Sequence, residues 1–171
     1  MSLGLLTRYG LTRPPGGGGP ATAGIQSMQN LTTTSTTGQR GWEFLVGAAD
    51  LECTKLRIYS NDAVADEQLI LWRISDEAEL ARETVTTVPG EWVEAILASS
   101  VTLSAAENYA VCCVRSAAGS RSINFQNFPG SNLTFADELS FVQYRHSGAN
   151  DDFPAFTGST ISGITDIAFT A

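Results

Sequence analysis

Between Gly41 and Ser60 the chain reads GWEFLVGAADLECTKLRIYS, and its hydrophobic positions recur at every second residue. Trp42, Phe44 and Val46 fall on one face of a first run, and Leu56 and Ile58 alternate with Lys55, Arg57 and Tyr59 in a second. That is the period of a half-buried strand. The small residues Gly47-Ala48-Ala49-Asp50 join the runs as a turn, so the pattern predicts a sheet with a dry side and a wet side. Further strand-like runs follow at Gln68–Ile74, Leu80–Thr87, Glu91–Leu97, Asn108–Arg115, Ser120–Phe125, Leu139–Arg145 and Thr165–Thr170. Turn-forming residues separate them at Ser60-Asn61-Asp62, Pro89-Gly90, Ala118-Gly119, Pro129-Gly130 and Ser147-Gly148. This spacing predicts an antiparallel β-sandwich over residues 39–171. One segment conflicts with it: Asp76-Glu77-Ala78-Glu79-Leu80-Ala81-Arg82 favours helix and offers a Glu79–Arg82 pair, which predicts a single helical turn between strands.

Residues 1–38 carry a different pattern and read as an extended N-terminal arm. Leu3, Leu5, Leu6, Tyr9 and Leu11 are scattered among Gly and Thr, and Arg13-Pro14-Pro15-Gly16-Gly17-Gly18-Gly19-Pro20 forms a hinge in which proline forbids helix and glycine permits almost any path. A phosphate-binding loop is the sharper reading of the glycines, disfavoured because no Lys-Ser/Thr follows them and no strand precedes them. From Ala21 to Gly38 the run is polar and Thr-rich, with little to bury. Fully stretched, such an arm reaches on the order of 120 Å. Leu3, Leu5, Leu6, Arg8, Tyr9, Leu11 and Arg13 are its candidate anchors on a partner.

With 171 residues the chain suits one domain plus a tail. Charged residues make up only 16% of it, which fits either a surface covered by neighbours or a Ser/Thr-rich β surface. Charge is uneven: residues 1–42 carry +3 from Arg8, Arg13 and Arg40, and the rest carries −11, for a total of −8. A body this acidic repels nucleic acid and anionic lipid, so neither is an expected partner. No apolar run approaches the ~20 residues of a membrane-spanning helix. MSLGLLTRYGLTRPP lacks the features of an export signal, which predicts synthesis in a cytoplasm without export by that route. Of the three cysteines, Cys112 and Cys113 are adjacent on a strand and face opposite ways, so all three are expected to be reduced and structural.

The succession Gly41-Trp42-Glu43-Phe44, Leu56-Arg57-Ile58-Tyr59, Leu71-Trp72, Leu80-Ala81 with Thr84, Trp92-Val93, Val101-Thr102-Leu103-Ser104 and Asn108-Tyr109-Ala110-Val111 resembles a family of jelly-roll-like sandwich modules of unknown function. That family occurs on bacterial surface proteins and tailed-phage virion proteins. The ending is similar, with Asp151, Asp152 and Pro154 in a loop before the strand Asp166-Ile167-Ala168-Phe169. The resemblance covers about residues 39–171. The chain departs from it at Glu77-Ala78-Glu79, where the family often has a Gly-containing hairpin, and near Ala106, where it has Gly.

No catalytic constellation is evident. His146 is the only histidine and no nucleophile-elbow motif accompanies it. With Asp151 and Asp152 it would suit a hard cation, but no alternating Asp/Asn ladder is present, and a solvated turn is the reading adopted. Trp42, Trp72 and Trp92 would be sugar platforms if exposed; each sits beside aliphatic residues, which predicts core packing. The sequons at Asn30 and Asn132 matter only if the chain is secreted. The sequence therefore leads to no enzyme and no cofactor or metal. It leads to a phage virion structural protein, a capsid decoration or tail/fibre-associated subunit made in the host cytoplasm. Such a subunit would be anchored by its arm to capsid or tail proteins and to its own copies as a homotrimer. The alternative is a carbohydrate-binding or adhesion module for a host glycan.

Overall fold

The computed structural model describes residues 20–28, 31–35, 38–60, 62–115, 121–125, 133–148, 152–158 and 164–171. Among them are strands β1 (Thr22–Ala23), β2 (Ile25–Met28), β3 (Leu31–Ser35), β4 (Gly38–Val46), β5 (Leu51–Ser60), β6 (Glu67–Arg73) and β7 (Ala78–Val85). They continue with β8 (Glu91–Leu103), β9 (Asn108–Arg115), β10 (Arg121–Phe125), β11 (Leu133–Phe135), β12 (Leu139–Ser147), β13 (Phe156–Gly158) and β14 (Ile164–Thr170). A four-stranded sheet in the order β1-β14-β5-β8 faces a six-stranded sheet in the order β13-β12-β4-β9-β6-β7, and β10 pairs with β3 and β11 with β2. All these ladders are antiparallel. The protein is an all-β sandwich, jelly-roll-like in that the chain steps repeatedly from one sheet to the other.

Alternation dictates which side chains meet between the sheets. Trp42, Phe44 and Val46 of β4, Leu56 and Ile58 of β5, Leu69 and Leu71 of β6, Tyr109, Val111 and Cys113 of β9, and Ile164, Ile167 and Phe169 of β14 belong to one buried cluster. Trp42 ties the sheets together: its Nε1 donates to the Thr165 carbonyl at 2.7 Å, and Thr165 Oγ1 donates to the Val111 carbonyl at 2.9 Å. Two bulges reset the alternation. In β5, Cys53 and Lys55 face consecutive residues of β14, so Thr54 is left over and the buried set passes from Leu51 and Cys53 to Leu56, Ile58 and Ser60. In β12 the half-exposed Val142 is left over, which turns Gln143 and Arg145 outward beside Glu43 and Gly41.

The outer side of the six-stranded sheet is not simply wet. Ile70, Trp72, Ala110, Cys112 and Val114 form a second buried cluster there, with Ile74 and Phe153 packed on it. Gly41 is obligatory beneath it, since a Cβ would lie 1.9 Å from the Val111 carbonyl oxygen.

Two expectations are corrected. No helical turn forms at 76–82: residues 74–77 make a tight turn and β7 starts at Ala78. Asp76 accepts from Arg73 Nε at 2.9 Å and from the Ala78 amide at 3.3 Å, and Glu77 takes φ 56, so the chain reverses instead of winding. The Glu79–Arg82 pair does form, at 2.7 Å, because a bulge opposite Leu71 and Trp72 brings both side chains to one face of β7. Strands β1 to β3 fall within the stretch that the local pattern places in the arm, and Ile25 is buried in the core. Their partners β14, β11 and β10 are far along the chain, where no local pattern reveals them.

Candidate functional site

The chemistry of the described residues concentrates on the outer face of the four-stranded sheet. Alternation along β5 sends Lys55, Arg57 and Tyr59 outward; register sets Arg57 between Asp166 of β14 and Glu94 of β8. Arg57 Nη1 lies 3.1 Å from Asp166 Oδ2, Arg57 Nε lies 3.2 Å from Glu94 Oε1, and Lys55 Nζ reaches Glu94 Oε2 at 2.6 Å. The Arg57 guanidinium also covers the Trp92 ring at 4.4 Å from its centroid, and Tyr59 meets that ring edge-on at 5.9 Å. Below this row Ile96 is 74% exposed. It stands on β8, an edge strand of the sheet.

Asp166 is the fully buried member, and it secures the N-terminal segment. Its Oδ1 accepts the Ile25 amide at 3.0 Å, just where the chain leaves β14 to pair with β11. Gly24 permits the crossing, because a Cβ there would meet Asp166 Oδ1 at 2.5 Å. Burial pushes the Asp166 carboxyl up to about 7, against the Ile25 and Ile167 amides and Arg57, which favour the charged form. An open depression of about 280 Å³ adjoins this crossing, lined by Thr22, Gln26, Phe135, Ala136, Asp137 and Glu138.

The arm residues Leu3, Leu5, Leu6, Arg8, Tyr9, Leu11 and Arg13 lie outside the described residues, as do Asp151 and both sequon asparagines. His146 stacks on Phe156 across β12 and β13, with ring centroids 5.6 Å apart. Asp152 is exposed. Trp42 is in the core and Trp72 in the second cluster, edge-on to Phe153 at 5.7 Å; Trp92 is half-buried, packed against the margin of the core and covered by Arg57. The three cysteines are free and buried, and burial raises the Cys53 and Cys112 thiols to about 12, so neither supplies a thiolate near neutrality. The row on Asp166 was missed in the sequence, although a single carboxylate inside the apolar run ITDIAFT was a signal for a buried, paired charge. Neither a protein-family model nor a curated protein matches the chain.

Proposed function

We propose that this protein is a structural subunit of a bacteriophage virion, a capsid decoration or tail/fibre-associated protein whose sandwich projects while its N-terminal arm tethers it to neighbouring subunits. The observation that carries this reading is the way the arm's root is fastened. β1 is laddered to β14, the Gly24 amide donates to the Ile167 carbonyl at 2.8 Å, and the Ile25 amide is held by buried Asp166. Tension on the upstream residues is thereby passed into a buried strand, as a tether requires. The resemblance to phage and surface modules is in keeping with this: φ is 56 at Glu77, within the segment where that family often has a Gly-containing hairpin, and 57 at Ala106, near which it has Gly. The glycan-binding alternative is weaker, because Arg57 lies over the Trp92 ring and Tyr59 is inclined at 62° to it. A flat sugar platform is not formed there.

The test is made on particles. Gradient-purified virions from cells expressing the full-length chain should carry it, as read by mass spectrometry and immunogold labelling. The chain lacking residues 1–20 should fold and stay in the soluble fraction. Incorporation of the truncated chain at full occupancy would place the anchor in the sandwich and overturn the tether.

A further inference from the structure

The four-stranded sheet ends on β8, whose residues 91–96 pair with β5 on one side and with no described strand on the other. A continuous ladder edge of this kind accepts a further strand, and its outward face offers Trp92, Glu94 and the exposed Ile96. The opposite edge is protected by β1. The chain also contains a complementary segment. Within the otherwise scattered apolar residues of the arm, Tyr9, Leu11 and Arg13 alternate with Gly10 and Thr12, the two-residue period of a short strand. Residues 1–19 carry +2 and no acidic group, against the −11 of the chain beyond residue 42.

We propose that residues 9–13 of one copy add as an antiparallel strand to the outer edge of β8 in a second copy, with Leu11 opposite Ile96 and Arg13 opposite Glu94. This deepens the tether reading by naming the receiving surface on a sister subunit. The register covers the exposed Ile96 with an apolar side chain and brings a third cation to Glu94. Pro14 and Pro15 then end the ladder beside Trp92, where a donor is no longer needed.

A sister copy fits better than the same copy. In this register residue 15 lies level with Trp92, while residue 22 is fixed opposite Phe169, in the row of Cys53 and Val101. Those positions are separated by four strand spacings and about five residues of strand, roughly 25 Å. The seven intervening residue steps reach at most about 25 Å. Closure within one chain would pull Gly16–Gly19 straight across Tyr59 and Arg57, whereas a second copy leaves the hinge slack.

The experiment uses isolated protein without particles. Leu11→Cys and Ile96→Cys are made in separate full-length chains of different tag mass, mixed, and oxidised mildly; cross-strand neighbours lie within disulfide reach. The expected result is a reducible dimer containing both tags, absent when either variant is oxidised alone with wild type. Arg13→Glu in the Leu11→Cys chain should lower its yield at least about fivefold, and Glu94→Lys in the Ile96→Cys chain should restore it. Failure of the mixture to cross-link overturns the proposal, as does a double variant that closes only within one chain. Neither result bears on particle attachment, which the truncation tests separately.

Discussion

At the scale of single residues, two positions are held against their own preference. Ala106 takes φ 57, where its amide is directed at the Val46 and Gly47 carbonyls, at 3.1 and 3.0 Å. A Cβ is disfavoured in this region by about 1 kcal/mol. Ala106→Gly should therefore raise stability by about 0.5–1 kcal/mol in urea denaturation, less than the full strain because glycine also loosens the unfolded chain. Asp166 is held against its hydration. Its folded carboxyl titrates near 7 and its reference value is 3.8, so the folded state keeps the proton longer than the unfolded chain. The stability this confers is complete below about pH 4 and is lost as the pH rises through 7, by up to about 4 kcal/mol. Stability measured at pH 5 and pH 8 should thus fall in the wild type, and fall markedly less in Asp166→Asn. An unchanged slope in the variant would assign the pH dependence to other groups.

At the scale of elements, the β4–β12 pair shows how a bulge creates polar chemistry on a covered face. Because Val142 is left over, Gln143 and Arg145 both turn toward Glu43, whose carboxylate is 2% exposed and accepts from each at 2.7 Å. Arg145 also lies over Phe153, 5.8 Å from its ring centroid, which brings the loop before β13 onto the sheet. Arg145→Ala should cost about 3–5 kcal/mol, because it leaves a buried carboxylate without its cation. Adding Glu43→Gln should recover much of that loss; a double variant as unstable as the single one would show that Arg145 acts through packing on Phe153 instead. The turn before β7 shows the reverse case, in which helix-favouring residues yield to a hairpin because the β6–β7 ladder and the Arg73–Asp76 pair both favour reversal.

For the whole molecule, the two sheets are coupled by shape and by direct hydrogen bonds through Trp42 and Thr165, so β4 and β14 behave as parts of one body. The N-terminal segment is attached to that body through β14, at the opposite edge of the sheet from β8. One sheet thus joins the N-terminal segment at one edge and carries, at the other, the strand proposed to receive that of a second copy. That polarity suits assembly into rings or clusters by repeated head-to-tail contact, and the closed trimer expected from the sequence is one such ring.

Period-two alternation was enough to reveal the β class and the principal strands of both sheets, because burial on one face is written locally in every second residue. Trp42, Phe44, Leu56 and Ile58 were legible for that reason. The sequence also showed a basic, glycine-hinged N-terminus on an acidic body, since charge and backbone freedom belong to residues individually. Tertiary structure alone decided what depends on partners distant in the chain. It placed Ile25 in the core, set Trp92 at the core's margin beneath Arg57, and buried Asp166 where the N-terminal segment crosses. Thr54 and Val142 reverse the faces of their strands, and no period in the sequence announces a bulge, because the extra residue is defined only against the strand it fails to pair with.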